Sequence, residues 1–94
     1  MRPICVKCEI EIRPEKNGVF LFEWAFEIGL YKIWHADLWK CPLCKMEVIH
    51  GFASHPIAEH WQEGFDEKAN RIRSSGETII NNYEYRDGVV LRQT

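Results

Sequence analysis

Two Cys-x-x-Cys pairs, Cys5-Val6-Lys7-Cys8 and Cys41-Pro42-Leu43-Cys44, contain every cysteine of the chain. A Cys-x-x-Cys turn aims two thiols into one concavity. Two such turns supply four soft ligands for one tetrahedral ion, the arrangement Zn²⁺ takes with sulfur at ~2.3 Å. The 32 residues between the pairs are more than the shortest zinc modules use, so this segment has to form structure of its own, and a β-hairpin fits. Other uses of the cysteines stay open at this point. Two disulfides need an oxidising compartment. A thioredoxin-like redox pair needs only one Cys-x-x-Cys, at a helix start, whereas both pairs here flank strand-like runs. Iron takes the same four thiolates in a rubredoxin-type site.

A chain of 94 residues makes one domain with a small core, for which a metal is a natural supplement. The 46% hydrophobic and 13% aromatic content exclude a disordered chain. A net charge of −2 gives no strongly basic surface for a nucleic acid or an anionic membrane. No apolar run is long enough to span a bilayer, and Met1-Arg2-Pro3-Ile4-Cys5 lacks the apolar stretch of a secretory leader. The expectation is a soluble chain in the cytoplasm.

Along the chain, Glu9 to Arg13 alternates polar and apolar residues and reads as a half-buried strand. Pro14 to Gly18 reads as a turn, centred on Asn17-Gly18. Val19 to Ile28 then reads as a strand with Phe20, Phe22, Trp24, Phe26 and Ile28 on one face, and Val19, Leu21, Glu23, Ala25 and Glu27 on the other. Tyr31 to His35 pairs back, and Met46 to Phe52 closes the sheet. His55-Pro56 signals a helix start. Ile57, Trp61, Phe65, Ala69 and Ile72 form its apolar stripe, which Gly64 either interrupts or divides into two shorter helices. Asp87-Gly88 between Thr78–Arg86 and Val89–Leu91 is a two-residue hairpin signal. The fold class expected is α+β: a small antiparallel sheet over residues 1–53, an amphipathic helix within 54–76 packed on it, and a C-terminal hairpin over 77–94.

The segments Ile-Cys-Val-Lys-Cys and Lys-Cys-Pro-Leu-Cys-Lys, each joined to a hairpin, resemble the two knuckles of a zinc ribbon over residues 4–53. The resemblance implies one structural zinc on Cys5, Cys8, Cys41 and Cys44. It departs where zinc-ribbon knuckles commonly place glycine after the second cysteine, because Glu9 and Lys45 stand there. The block Tyr-Lys-Ile-Trp-His-Ala-Asp-Leu-Trp-Lys-Cys-Pro-Leu-Cys, followed by Pro-Ile-Ala-Glu-His-Trp, is also similar to small zinc-binding proteins of phages and prophages. That likeness implies an accessory role in the host cytoplasm.

Four cysteines on one zinc leave no open position for an activated water, so the expected metal is structural and the chain not an enzyme. None of the familiar nucleophile, phosphate-loop or zinc-protease motifs appears. His35, His50, His55 and His60 lack the spacing that puts two ligands on one helical face, and His35 and His50 read as partly buried beside the knuckles. Glu59/Glu63 and Asp66/Glu67 read as a solvated helix face. Lys7, Lys40 and Lys45 are placed to offset thiolate charge. Aromatic residues exceed what so small a core hides, so some of Trp34, Trp39, Trp61, Tyr83 and Tyr85 are expected at the surface as partner contacts. The leading expectation is a protein-binding module that also self-associates through its tail. A nucleic-acid-binding ribbon and a counter-defence protein that sequesters a nucleotide signal are the alternatives.

Overall fold

The computed structural model describes residues 2–91. Its centre is a long antiparallel pair, β3 (Arg13–Ala25) with β4 (Gly29–Lys40). Around it a five-stranded sheet runs in the order β5-β4-β3-β7, with β5 at Glu47–His50 and β7 at Ile79–Tyr83. A short β6 (Ala58–Glu59) extends the sheet beside β5 by pairing with Lys32 and Ile33 of β4. Two more strands, β1 (Ile4–Cys5) and β2 (Ile10–Glu11), form the first knuckle, and β8 (Tyr85–Arg86) with β9 (Val89–Val90) makes the C-terminal hairpin. The single helix among the described residues, α1 (Phe65–Arg73), completes an α+β fold with mostly antiparallel strands.

Two departures from the sequence reading reshape the sheet. Residues 14–18 do not turn the chain; they lie inside β3, where the register with β4 shifts between Pro14 and Lys16 and again before Val19. These irregularities absorb the turn-forming residues as bulges, which bend and twist a strand without reversing it. Asp37 fixes the place from the facing strand: its Oδ1 accepts the Gly18 N–H at 3.1 Å. The other carboxylate oxygen lies 2.7 Å from where a Cβ would stand on Gly51, which has φ 72°, so only glycine fits there. The reversal comes later, at Phe26–Ile28, and Phe26 and Ile28 therefore belong to a turn and not to a strand face.

The helix also begins later than expected. Residues 57–60 lie along β4, with Ala58–Glu59 as a strand, because Ile57 N–H donates to Ile33 O at 2.8 Å and His60 N–H to Tyr31 O at 2.9 Å, extending the sheet beyond β5. Gly64, at φ 80°, then turns the chain into α1 as its N-cap. Ile57, Phe65, Ala69 and Ile72 nonetheless all reach the core of Phe22, Ile33 and Ala58, and only Trp61 drops out, 68% exposed. Periodicity picked the right apolar residues from the wrong secondary structure, since Ile57 reaches the core from a bend hydrogen-bonded to Ile33 at the edge of β4. Because α1 carries the chain back across the sheet, β7 pairs with β3 in parallel, Leu21 opposite Ile80 and Trp24 opposite Tyr83.

The hairpin forms at Asp87-Gly88 as expected. Arg86 ties it to the sheet: its guanidinium contacts Glu27 at 2.9 Å and Glu84 at 2.6 Å and lies over the Phe26 ring. Glu84 also accepts the Phe26 N–H, and that bond, with Arg86, holds its carboxyl below the usual range. Residues 92–94 of the expected tail lie outside the described residues.

Candidate metal centre

The sheet ends in a second, smaller core of Cys5, Ile12 and Cys41, with Ile10, Trp39, Val48, Cys8 and Cys44 packed around it. Each knuckle is closed by one tight backbone bond, Glu9 N–H to Cys5 O at 2.7 Å and Lys45 N–H to Cys41 O at 3.0 Å. Both closing residues take positive φ, 57° at Glu9 and 69° at Lys45. These are the positions where the zinc-ribbon pattern commonly has glycine. The knuckle conformation is thus kept without it, at a cost of about 1–2 kcal/mol for each left-handed non-glycine residue.

The two knuckles come together because β1 pairs with β2 while Arg13 of β3 faces Lys40 of β4, which sets Cys41 beside the start of the long hairpin. All four Sγ atoms lie within 4.8 Å of one another. The Cys5 and Cys44 sulfurs are 3.7 Å apart. A tetrahedron of ~2.3 Å metal–sulfur bonds has S···S edges of ~3.8 Å, whereas a disulfide needs ~2.05 Å. All four cysteines are free thiols, so the disulfide alternative does not describe this fold. The redox-pair alternative is equally poor, since neither pair opens a helix.

The chemistry around the sulfurs suits an ion. Cys41 is lowered to about 6, first by the backbone N–H of Cys44 and then by that of Leu43, against the opposing effect of burial. Burial first, and then the neighbouring cysteines, push Cys8 up to about 12. Crowded thiols of this kind do not all ionise unless a cation compensates them. Trp39 packs on the cluster with its indole Nε1 buried and unbonded among the described residues. An unpaired buried donor costs ~1–3 kcal/mol, and thiolates on a divalent ion favour N–H neighbours of this type. Four cysteines therefore stand where one metal ion fits, with all protein ligands supplied. Zinc and iron both accept this donor set.

The expected charge compensation is only partly visible. Lys40 and Lys45, with Arg13, Pro14, Glu15 and Pro42, line a hollow of about 350 Å³ at Cys41. Lys45 Nζ donates to Pro42 O at 3.1 Å. The histidines are a correction: His35, His50, His55 and His60 are all exposed. Three of them instead lie against aromatic rings, His35 on Phe20, His50 on Trp39 and His60 on Tyr31. Among the described residues the cysteines form the only cluster suited to a metal. Of the acidic pairs, Asp66 and Glu67 are exposed in the first turn of α1, and Glu59 lies in β6.

The five aromatic residues singled out from sequence scatter. Trp39 belongs to the metal-end core, and Trp61 stands alone and exposed. Tyr83 stacks on Trp24 at 6.0 Å, and Tyr85 is 70% exposed in the hairpin. Trp34 lies on the sheet face opposite the helix, where its partner by register is Leu21. There it lines a hollow of about 290 Å³ with Leu21, Glu23, Phe52 and Asn82. Sequence reasoning missed Phe52, Glu23 and Asn82 as neighbours, because strands far apart in the chain bring them together. The one available signal was Glu23, an acid set between aromatic residues on the face that also carries Val19 and Leu21.

Compared with protein-family models, curated proteins and solved structures, the chain finds no match. The likeness to a zinc ribbon rests on the four cysteines and their geometry. No helix among the described residues is long and apolar enough to cross a membrane.

Proposed function

We propose that this chain is a non-catalytic module in which one structural Zn²⁺ on Cys5, Cys8, Cys41 and Cys44 fixes the sheet, and the sheet face opposite α1 meets a protein partner. The carrying observation is that face itself. Trp34, Leu38, Ile49, Ile80 and Phe52 surround it, Phe52 at 49% exposure, while the helix packs on the other side through Phe22 and Ile33. Apolar surface grouped in this way, with aromatic residues at its centre, is the usual mark of a contact surface. Tyr85, Val89 and Val90 of the hairpin are a second exposed apolar patch, suited to self-association. Four thiolate ligands close the metal's coordination and supply no position for substrate. In this reading the chain is an accessory protein of the host cytoplasm, the role implied by the resemblance of its cysteine-bearing segments to those of phage zinc-binding proteins.

Nucleic-acid binding is the second reading, and one observation favours it: the cations Arg13, Lys40 and Lys45 around the hollow at the second knuckle. Glu15 shares that hollow, and the net charge of −2 opposes a polyanion. The two readings separate in one experiment. The native protein and a Trp34→Ala/Phe52→Ala variant are used to capture binders from the host, with metal content and melting checked in parallel. The protein-binding reading expects equal metal content and a partner lost only with the variant. Partners retained by the variant, or tight salt-sensitive retention on DNA at ~150 mM salt, would overturn it.

A further inference from the structure

The hollow beside Trp34 has a chemistry more specific than an apolar contact. Its aromatic walls, Trp34 and Phe52, meet nearly at right angles, 80° apart with centroids at 6.1 Å. Glu23 closes a third side and Asn82 a fourth. Glu23 Oε1 accepts the Trp34 Nε1–H at 2.8 Å, which holds ring and carboxylate together before any ligand arrives. The other carboxylate oxygen and the Asn82 side-chain amide have no hydrogen bond among the described residues, so the hollow keeps one free carboxylate oxygen and one free amide oxygen as acceptors.

Charge selects what such a site takes. Beside it lies a second hollow of about 380 Å³, sharing Glu23 and Asn82 and lined further by Trp24, Tyr31, Tyr83 and Glu84. No lysine or arginine lines either one. The nearest cations are already engaged: Lys32 with Glu59 at 3.7 Å and above the Tyr31 ring, and Arg86 with Glu27 and Glu84. Lys32 is also 5.8 Å from the Trp34 ring and opposes a second cation there. Of the nearby carboxylates, Glu27 and Glu84 are paired with Arg86 and Glu59 with Lys32, which leaves Glu23 without an ion-pair partner among the described residues. Acid-rimmed aromatic walls attract a cation and repel phosphate, the reverse of the hollow at the second knuckle.

We infer that the Trp34–Phe52–Glu23 hollow receives the guanidinium of an arginine on a basic segment of the partner protein. This rests on the protein-binding reading above and specifies its chemistry. A guanidinium is planar and weakly hydrated, stacks on an indole, and presents several N–H donors in one plane. The free Glu23 oxygen and the Asn82 carbonyl supply acceptors for those donors, and the flanking hollow accommodates the neighbouring residues of the segment.

The test titrates the zinc-loaded full chain with the tripeptide acetyl-Gly-Arg-Gly-amide and follows the Trp34 indole N–H by NMR. The controls are the citrulline analogue, which keeps the shape without the charge, and guanosine monophosphate. The expected result is a saturable shift with the arginine peptide and binding at least tenfold weaker with citrulline. Glu23→Gln, which keeps an acceptor for the indole and removes the charge, should weaken arginine binding at least tenfold with melting and metal content unchanged. No saturable shift, equal binding of citrulline, tighter binding of the nucleotide, or unchanged affinity in Glu23→Gln would each overturn the assignment. If a native partner is lost with Trp34→Ala/Phe52→Ala while the arginine peptide gives no saturable shift, this assignment alone fails. If the variant loses no partner, the protein-binding reading fails with it.

Discussion

The two ends of the sheet are closed by different physics. At the helix end, six buried side chains (Phe22, Ile33, Ala58, Phe65, Ala69 and Ile72) interlock with Phe20, Trp24, Leu30, Ile57 and Ile79 around them. At the knuckle end only Cys5, Ile12 and Cys41 are buried, and two of those are cysteines. Burial at ~25 cal/mol per Å² of apolar surface can hold the first. The second has one large aliphatic residue at its centre, an unpaired indole N–H at its side and two strained knuckle residues. Those costs fall on a core with fewer buried apolar side chains than the helix end. Binding of a structural zinc supplies on the order of 10–16 kcal/mol in small modules, ample for a core of this kind. On the proposed reading, one strand pair carries an ordinary hydrophobic core at one end and a core built around a metal ion at the other.

The comparison can be broken from the helix side. Phe22 is 1% exposed at the centre of that core, and Phe22→Ala should cost about 3–5 kcal/mol, measured by urea unfolding of the metal-loaded protein. Cobalt uptake at the cysteines, read from thiolate-to-metal absorption, should survive the substitution at low denaturant. Loss of cobalt binding would mean that the knuckle end cannot form without the other. A smaller effect sharpens the account of the knuckles. Glu9→Gly relieves a left-handed conformation worth ~1–2 kcal/mol but loosens the unfolded chain by ~0.4–1 kcal/mol. Stability should stay equal or rise by up to about 1.6 kcal/mol, seen as a raised melting temperature with unchanged metal content. A clear loss of stability would show that the φ of 57° at Glu9 is not a strained conformation.

What the sequence made legible follows the range of the interactions involved. The cysteine pairs declare themselves because a metal imposes residue type and spacing locally, and Asp87-Gly88 declares its hairpin for a similar reason. Phe20, Phe22 and Trp24 were rightly placed together on one face, and all three contribute to the helix-end core. Pro14 to Gly18 misled because the same residues serve a turn and a bulge, and the choice between them is made by Asp37 on the facing strand. Residues 57–60 misled because an apolar stripe at helical spacing is compatible with an extended segment when the edge of β4 offers hydrogen bonds. The parallel seat of β7 beside β3 and the meeting of Trp34, Phe52, Glu23 and Asn82 depend on contacts between distant parts of the chain. No local pattern carries them.

The most direct measurement is amide hydrogen exchange on the metal-loaded chain before and after a strong chelator. The account predicts that chelation releases the hydrogen-bonded amides of the knuckle end, Glu9, Ile12, Cys41 and Lys45, while Phe22 and Ile33 in the helix-end core stay protected. Equal protection at Glu9, Ile12, Cys41 and Lys45 with and without metal would contradict it, because the knuckle core would then stand without an ion.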